Sequence, residues 1–258
     1  MYNIFMEEFV MPTEAMLLNS NVEDIEERLP TVVFCIKGET FTQGFFLSWT
    51  RLILFLNENK LFNVRVMNYD ESNSFDARNT LVGANKGKGR IQSIFEDEIV
   101  YDFIFFLDTN INFQPMDIIN ILGKLAKVDE LEVLSGIYPT NNGTPCIYQD
   151  VSIDCLKENG SYKFTDMETL LETGSLGSLN LVSVPATGLG FMAIKRGVLE
   201  KLTYPWFEPY VVEDDDVFEY DNDEISFCKK LAELSISVRV DSTVILSKDN
   251  VKSITVNR

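Results

Sequence analysis

The chain of 258 residues contains no histidine and only four cysteines, none of which form a CxxC pair. Structural and catalytic zinc sites are built mainly from cysteine and histidine, so a zinc centre of the usual kind is excluded. Cys35 and Cys228 lie within apolar patterns and are expected to be small buried side chains. Unpaired cysteines of this kind fit a reducing cytoplasm best, so we expect a cytoplasmic protein.

Long hydrophobic runs are absent as well. The longest, such as Phe103–Leu107, are interrupted within a few residues, whereas a membrane-spanning helix needs roughly 20 apolar residues. The N-terminus carries acidic residues (Glu7, Glu8 and Glu14) and no basic region before an apolar stretch. We therefore expect neither a membrane span nor a secretory signal.

Positive charge is scarce, because 22 Lys and Arg face 40 Asp and Glu, giving a formal net charge of −18. Binding to a nucleic-acid backbone needs clustered Lys and Arg, so nucleic acid is not an expected partner. Nine of the acids fall between Glu208 and Glu224, a stretch without any Lys or Arg. Most of this stretch is predicted to be a solvated acidic loop, and Val211–Asp221 a mobile one that orders over a bound ligand.

The common nucleotide-binding fingerprints are also missing. No GxGxxG follows the first predicted strand and no GxxxxGK[ST] occurs, which argues against NAD binding and against a P-loop NTPase. The basic, glycine-rich segment Asn85–Arg90 is able to reach phosphates, but its composition is more typical of an exposed turn.

What the sequence does contain is an ordered series of strand and helix patterns. Short apolar or β-branched runs predict strands, and these are Thr31–Ile36, Asn63–Tyr69, Phe103–Leu107, Leu131–Tyr138, Leu181–Ala186, Gly190–Lys195 and Ser237–Leu246. Apolar spacing of three to four residues predicts helices, and these are Asn21–Leu29, Phe41–Asn59, Asp76–Asn85 (ended by Gly87 and Gly89), a helix opened by Pro115, and Asp223–Glu233. The segment Pro139–Asn180 is polar and irregular, with a hairpin expected around Gly160.

Alternation of strands and helices over the first 138 residues predicts an α/β fold with a mainly parallel central sheet flanked by helices. We expect an N-terminal extension over 1–29 and a single domain over 30–258. Ligands of such sheets bind beyond the carboxyl ends of the strands. The loops Lys37–Thr40, Asp70–Asp76 and Asp108–Asn112 are therefore the candidate binding loops.

Asp108 directly follows a run of five apolar residues and is separated from Asn110 by one residue. The two side chains offer oxygen donors on the same side of a strand end, which suits Mg²⁺ or Mn²⁺ bridging a diphosphate. A strand-end turn in which Asp108 accepts backbone N–H groups is an equally good interpretation. The residues alone leave both open.

Three further sites have a functional and a structural interpretation. Arg78 near a helix start is able to hold a phosphate or ribose, but a surface salt bridge is the more common use. Asp223-Glu224 opens a helix, where acids are favoured in any protein, although one of them could act as a base toward an acceptor hydroxyl. Trp206 could stack on a sugar, but a tryptophan in a loop is more often part of the core.

The order of these pieces is more specific than any one of them. It resembles GT-A-fold glycosyltransferases, especially family-2-like and viral or bacteriophage glycosyltransferase-like proteins, across roughly residues 30–250. The residues that carry the resemblance are Ser48-Trp49, Ala77-Arg78-Asn79, Phe106-Leu107-Asp108-Thr109-Asn110, Ser135-Gly136-Ile137-Tyr138, Gly188-Leu189-Gly190-Phe191, Tyr204-Pro205-Trp206-Phe207, Asp223-Glu224-Ile225-Ser226-Phe227-Cys228 and Val240-Asp241.

The resemblance implies a role for each part of the site. Glu224, or Asp223 beside it, would be the catalytic base, and Asp108 with Asn110 would hold a weakly bound Mn²⁺ or Mg²⁺. The acceptor would be bordered by Gly188, Leu189, Gly190 and Trp206. The donor, a UDP- or GDP-linked sugar, would be bound by Ile36, Lys37, Gly38, Asp70, Arg78, Asp108, Thr109, Asn110 and Lys248.

Three departures from the pattern bear on the metal and the base. The second Asp of the DxD motif is Asn110, a neutral and weaker ligand, and the usual Glu-Asp pair is Asp223-Glu224. The late histidine that often ligates the metal is missing, and Ser247 or Lys248 falls at its place. An ammonium at Lys248 would screen a diphosphate without coordinating it.

The sequence thus predicts an enzyme that moves a sugar from a nucleoside diphosphate sugar to a glycan or other hydroxyl acceptor, in the host cytoplasm if the protein is viral. Two alternatives remain. One is a catalytically weak or inactive nucleotide-sugar binder of the same fold. The other is a nucleotidyltransferase, for which the loop Lys37–Thr40 is a poor match to the glycine-rich, basic loop usually required.

Overall fold

The computed structural model describes residues 28–71, 73–172 and 179–249. The predicted extension 1–29 and its helix Asn21–Leu29 therefore lie outside the described residues, except for Arg28 and Leu29. The Arg28 guanidinium binds both carboxylate oxygens of Asp102 at 2.9 Å. Within the described ranges, no helix has the length and apolar character that crossing a bilayer requires.

The predicted strands are present, and several short ones are added. In chain order the strands are β1 (Thr31–Lys37), β2 (Asn63–Tyr69), β3 (Phe103–Asp108), β4 (Ile111–Asn112), β5 (Val133–Ile137), β6 (Ile147–Asp150), β7 (Lys163–Phe164), β8 (Leu181–Ser183), β9 (Ala186–Thr187), β10 (Phe191–Lys195), β11 (Val211–Asp214), β12 (Val217–Tyr220), β13 (Val238–Ile245) and β14 (Ser247–Lys248).

Seven of these strands form the central sheet in the order β2-β1-β3-β10-β5-β13-β8. Strands β2, β1 and β3 are parallel neighbours, as are β5 and β13. Strand β10 runs antiparallel between β3 and β5, and β8 is antiparallel to β13. The sheet is thus mixed and mostly parallel, which confirms the predicted fold class.

The helices are α1 (Gln43–Asn59), α2 (Ser74–Leu81), α3 (Pro115–Lys127), α4 (Ile153–Asn159), α5 (Met167–Glu172) and α6 (Asp223–Glu233). Their starts follow from local chemistry. Thr42 caps α1 by accepting the Phe45 N–H, and Asn222 caps α6 by accepting the Ile225 N–H at 2.8 Å. Side-chain oxygens at these positions satisfy N–H groups that have no partner within the helix.

Two apolar cores lie on the two faces of the sheet, because successive side chains of a strand point to opposite faces. In β3, Phe103, Phe105 and Leu107 join the core beneath α1 and α3. Ile104 and Phe106 join the other core, which includes residues of α2 and α6. The continuous apolar run of β3 is therefore buried on both faces, as expected for a central strand.

Helix α2 ends at Leu81, earlier than the predicted Asn85, and the predicted terminators Gly87 and Gly89 are not involved. Gly83 follows with a φ of +90°, and a Cβ there would lie 2.6 Å from the Phe95 Cα. This close approach of backbone to backbone requires glycine and turns the chain away from the helix axis.

The segment between Pro139 and Asn180 is more regular than predicted. It contains β6, α4, β7 and α5, with residues 173–178 outside the described ranges. Gly160 is the left-handed C-cap of α4 and not the turn of a hairpin. Glycine commonly ends helices in this way, so the sequence signal was real but its interpretation was wrong.

The acidic segment is not the irregular loop that was predicted. Strands β11 and β12 pair in antiparallel register from Val211 with Tyr220 to Asp214 with Val217, and we call residues 211–220 the acidic hairpin. Val212 is buried, and Phe218 and Tyr220 contact each other edge to face at 5.5 Å. The antiparallel ladder therefore organises a stretch that had been predicted as a loop, and its ordering over a bound ligand stays a prediction.

Candidate functional site

The site lies where β1 and β3 end side by side. In their parallel register Lys37 is the partner of Asp108. Gly38 follows with a φ of +144°, and a Cβ there would lie 2.2 Å from the Thr109 side-chain oxygen. Only glycine allows the two strand ends to approach this closely. Nearby, Asp70 accepts the Glu39 N–H at 3.2 Å, so the predicted donor loops do meet at one edge.

Arg78 of α2 is the centre of the site and not a surface residue, since its side chain is only 2% exposed. Its guanidinium forms an ion pair with Asp223 and a second one with Glu224 at 3.1 Å. Asp108 lies 4.0 Å away on the same guanidinium. Burial lowers the pKa of Arg78, but the three carboxylates outweigh this effect and raise the pKa above its ordinary value.

The predicted contact of Arg78 with a phosphate or ribose is therefore not what this geometry favours. The guanidinium is buried, and its hydrogen bonds go to Ser74, Asp223 and Glu224. Ser74 had not been singled out, yet its hydroxyl accepts from Arg78 and from Lys37 and donates to Asp223. A hydroxyl has one donor and two acceptor positions, so Ser74 is fully used.

Glu224 has the environment of a proton acceptor. It lies in the first turn of α6, and its carboxylate accepts the Leu189 N–H at 3.2 Å. Burial raises its pKa, Arg78 lowers it, and the neighbouring Asp223 and Asp108 raise it again, for a net increase. A carboxylate with a raised pKa is a stronger base and is suited to general-base catalysis near neutral pH.

The turn Gly188–Gly190 is shaped by Tyr138, which had been noted only as part of a motif. The Tyr138 hydroxyl accepts the Gly190 N–H at 2.8 Å. A Cβ on Gly188 would lie 1.9 Å from that hydroxyl, and a Cβ on Gly190 would lie 2.8 Å from Asp108 Oδ2. The two glycines thus let the turn lie against both the tyrosine and the carboxylate.

Lys248 is brought to the same edge by the pairing of β14 with β4, in which Lys248 is opposite Ile111. Its Nζ lies 5.8 Å from the centroid of the Tyr138 ring, within range of a cation–π contact. The Asp108–Asn110 turn immediately precedes β4. The structure thus brings Lys248 beside the turn that carries the DxD-like residues.

The donor set of that turn fits a divalent cation that is held weakly. The Asn110 side-chain oxygen is buried and has no hydrogen-bond partner, so it is free to be a ligand. Within the described residues, however, no group of three His, Cys, Asp or Glu is placed to hold a metal. Asp108 and Asn110 supply two oxygens, and a hard cation would need diphosphate oxygens and water to complete its six or more ligands.

Three predicted site residues are buried in the cores. Trp206 is 1% exposed and has no free face for a sugar, so its predicted acceptor contact is wrong for this structure. Its backbone N–H donates to the Asn79 side-chain oxygen at 2.9 Å. Leu189 and Ile36 are likewise buried. Leu189 contributes its backbone N–H group to the site, and Ile36 can contribute only backbone atoms.

Asn79 belongs to the predicted Ala77-Arg78-Asn79 motif, but no role had been assigned to it. It is buried, and besides Trp206 it receives the Phe207 N–H at 3.4 Å and donates to the Phe75 carbonyl at 2.8 Å. It therefore ties α2 to the chain around Trp206. The motif contained the signal, but a buried amide that joins two segments is recognisable only in three dimensions.

No protein-family model matches the chain. Among curated proteins there is no match either. The solved structures do include chains that are similar to this one.

The structure of GalNAc-T7 with UDP, GalNAc and Mn²⁺ is similar at a TM-score of 0.51 and 10% identity, covering 88% of this chain and 46% of that one. A197 from STIV gives 0.47 at 14% identity, covering 89% and 98%. Glucosyl-3-phosphoglycerate synthase from Mycobacterium tuberculosis, with Mg²⁺ and UDP, gives 0.40 at 14% identity, covering 89% and 72%.

The similarity to GalNAc-T7, at 10% identity, concerns the fold alone. The chain spans less than half of the GalNAc-T7 chain that it matches. Together with the mostly parallel sheet, this likeness confirms the predicted GT-A-like fold. The chemistry must be argued from the residues at the sheet edge.

Proposed function

We propose that the protein is a glycosyltransferase that moves a sugar from a UDP- or GDP-linked donor to a hydroxyl acceptor. The observation that carries this proposal is the convergence of Asp108, Asp223 and Glu224 on one buried guanidinium, Arg78, at the carboxyl edge of the sheet. Ligands of open α/β sheets bind at this edge. GalNAc-T7, the neighbour that supports the fold, has UDP, GalNAc and Mn²⁺ in its structure.

Glu224 is the proposed general base. In the reaction the acceptor oxygen forms a bond to the anomeric carbon of the donor sugar, and its proton goes to the Glu224 carboxylate. The bond between that carbon and the diphosphate breaks, and the diphosphate leaves with the electron pair. The Leu189 N–H and Arg78 orient the carboxylate for this role. General bases contribute about 10²- to 10⁴-fold to rates.

Arg78 and Asp223 are proposed to act on the base and not on the substrate. Arg78 fixes the direction of Glu224, and Asp223, bonded to Ser74, fixes Arg78. This replaces the predicted direct contact of Arg78 with the donor, because the guanidinium has little exposed surface. A buried pair with satisfied hydrogen bonds is well suited to holding a carboxylate in one orientation.

The donor is proposed to lie over the ends of β1 and β3. The predicted donor residues at this edge are Ile36 (through its backbone), Lys37, Gly38, Asp70, Asp108, Thr109, Asn110 and Lys248. Asp108 and Asn110 would hold a Mn²⁺ or Mg²⁺, which screens the charge of the diphosphate when bound. The Lys248 ammonium would share that task, since a point charge acts without coordination geometry. Acceptor binding is assigned to the turn Gly188–Gly190.

A nucleotide-sugar binder with little or no activity is the second candidate. The observation that favours it is the ion pair of Glu224 with Arg78, which lowers the pKa of the carboxylate and so offsets part of the increase caused by burial. Hydrolysis of a nucleotide sugar, even slow, separates the two candidates in favour of the enzyme. The single domain over 30–258 and the cytoplasmic location remain predictions.

A thermal-shift screen tests the shared premise of both candidates. UDP, GDP and their sugars, with and without Mn²⁺, should raise the melting temperature of the full chain, because a ligand of the native state stabilises it. Asp108→Ala should abolish that shift. Asp216→Ala, a substitution on the exposed acidic hairpin, is the matched control and should keep it. An unchanged shift in Asp108→Ala would remove Asp108 from the site.

A further inference from the structure

The three residues Ser247–Asp249 form a short segment that lies beside the DxD-like turn Asp108–Asn110. Ser247 and Lys248 form β14, which pairs with Asn112 and Ile111 of β4. The Asp249 N–H then donates to the Asn110 carbonyl at 2.9 Å. We call residues 247–249 the strap.

The Asp249 carboxylate fastens the end of the strap to helix α1. One oxygen accepts the Gly44 N–H at 3.2 Å, and the other accepts the Asn112 side-chain amide at 2.8 Å. Gly44 lies in the first turn of α1, where backbone N–H groups have no partner within the helix and favour negative charge. Hydrogen bonds from Asn112, Thr42 and Gly44 lower the pKa of Asp249, so it stays ionised at neutral pH.

The position of Gly44 belongs to the same arrangement. A Cβ at this residue would lie 2.1 Å from the Asn112 side-chain oxygen and 2.8 Å from Asp249 Oδ2. Any side chain would therefore push the strap away from α1. The Asp249 carboxylate thus joins the start of α1 to β4, and the Asp249 backbone N–H joins the strap to the DxD-like turn.

Lys248 lies between the two anchored ends of the strap. A free lysine side chain has many rotamers, and ordering it costs conformational entropy. The backbone at Lys248 is held by its pairing with Ile111 and by the contacts of Asp249. The lysine side chain projects from this backbone toward Tyr138. Without the Asp249 carboxylate, the backbone at Lys248 would be held only by the short β14–β4 ladder and by the hydrogen bond from the Asp249 N–H to the Asn110 carbonyl.

We propose that Asp249 is a positioning residue that acts through Lys248, holding its ammonium over the site of the donor diphosphate. The inference rests on the proposed function, because it assigns the diphosphate to this edge of the sheet. It adds a residue that neither touches the donor nor belongs to the motifs. Its effect on nucleotide binding depends entirely on the presence of the lysine.

A double-mutant cycle in the full chain tests this dependence. Calorimetry of UDP and GDP is carried out on the wild type, Lys248→Ala, Asp249→Ala and the double variant. We expect Lys248→Ala to lose about two- to fivefold in affinity, since ion pairs at exposed sites contribute about that much. Asp249→Ala should lose somewhat less, and the double variant no more than Lys248→Ala. Losses that multiply, or no loss in Asp249→Ala, would overturn the proposal.

Two further variants separate positioning from folding. Asp249→Asn keeps the shape and one acceptor oxygen, so it should retain more affinity than Asp249→Ala. Asp150→Ala removes a carboxylate that caps a turn far along the chain, at Ser152, and should bind like the wild type. Melting temperatures without nucleotide show whether Asp249→Ala is folded.

A measurement made without nucleotide distinguishes a failure of the inference about Asp249 from a failure of the proposed function. The rate at which Lys248 reacts with an amine-specific reagent, followed by peptide mass spectrometry, should rise several-fold in Asp249→Ala. If the wild type binds neither UDP nor GDP, the proposed function fails even when this rate rises. If the wild type binds and the reactivity of Lys248 is unchanged, Asp249 does not position the lysine and only the inference fails.

Discussion

Two acid-rich parts of the molecule are close in sequence and opposite in character. The acidic hairpin has five acids, all exposed: Glu213, Asp214, Asp215, Asp216 and Glu219. A few residues later, Asp223 and Glu224 have side chains only 9% and 19% exposed and share the guanidinium of Arg78. Their charges interact in a medium of low effective dielectric, whereas those of the hairpin are screened by water.

The number of acids in a segment of the sequence therefore does not indicate what each acid does in the folded protein. Asp221, between the two groups, is also buried and forms an ion pair with Lys229 at 2.7 Å. What separates the groups is the burial of the ion pair: Asp214 of the hairpin also has a cation, Lys157 at 2.7 Å, but both partners of that pair are about a third exposed. Substitutions in the buried and in the exposed acidic groups test this contrast.

Removing the cation from the buried group should have the largest effect on stability. Arg78→Met leaves Asp223 and Glu224 buried without a cationic partner, which should lower the free energy of unfolding by about 3–5 kcal/mol. Urea denaturation followed by circular dichroism measures this. Lys157→Met is the matched control, because it removes the partner of Asp214 on the exposed hairpin. Equal losses in the two variants would show that burial does not distinguish the groups.

Glu224→Gln should reduce turnover by about 10²- to 10⁴-fold, the usual contribution of a general base. Affinity for the nucleoside diphosphate should remain close to that of the wild type, because the amide keeps the size of the side chain. Transfer to an acceptor, or hydrolysis of the nucleotide sugar, is the measurement. Glu219→Gln on the acidic hairpin is the control and should keep its full rate.

The pH profile of the wild type sharpens the same prediction. The base works as a carboxylate, so kcat/KM should rise with pH as Glu224 loses its proton. Because burial raises the pKa of Glu224, this rise should occur at a higher pH than for an ordinary glutamate, whose pKa is 4.5. The same shift implies that ionising Glu224 costs stability as pH increases through its folded pKa. A rise centred at or below the ordinary value would contradict the assignment.

The metal should matter less than the base. With two protein oxygens and a nearby ammonium, chelation by EDTA should reduce nucleotide affinity by less than about tenfold, roughly 1.4 kcal/mol. Asn110→Asp adds a second carboxylate and should increase the dependence on Mn²⁺. Calorimetry with Mn²⁺ and with EDTA measures both. A larger loss in the wild type would mean that the cation has ligands beyond Asp108 and Asn110.

The smallest effect is expected on the acidic hairpin. Asp215→Asn combined with Asp216→Asn should change the melting temperature by less than about 2 °C, because isolated surface substitutions have little effect on stability. Melting curves at low and high salt measure this. A large increase in stability at low salt would show that repulsion within the hairpin is felt by the whole fold.

The sequence predicted the main elements well. Strand β2 and helix α6 have the predicted bounds, and β1, β3 and α1 differ by one or two residues. The two helices have strong apolar periodicity, and the strands are short apolar or β-branched runs. The predictions failed at α2, where backbone contact at Gly83 ends the helix early, and at residues 139–172, where short elements have too few residues to show a period. They also failed at the acidic hairpin, which was predicted to be a loop. The position of β10 between β3 and β5 is also not predictable from local sequence patterns.

At the candidate site, the sequence by itself determined which side chains follow the buried strands and which open α6, because periodicity and capping are local. It placed Asp108, Asp223 and Glu224 in the site, though each with a structural alternative. Only the tertiary structure decided that Arg78 is buried between them, that Trp206 belongs to the core, and that Asp249 reaches Gly44 across 205 residues of chain. Burial and long-range pairing depend on which segments pack together, and that is a property of the whole fold.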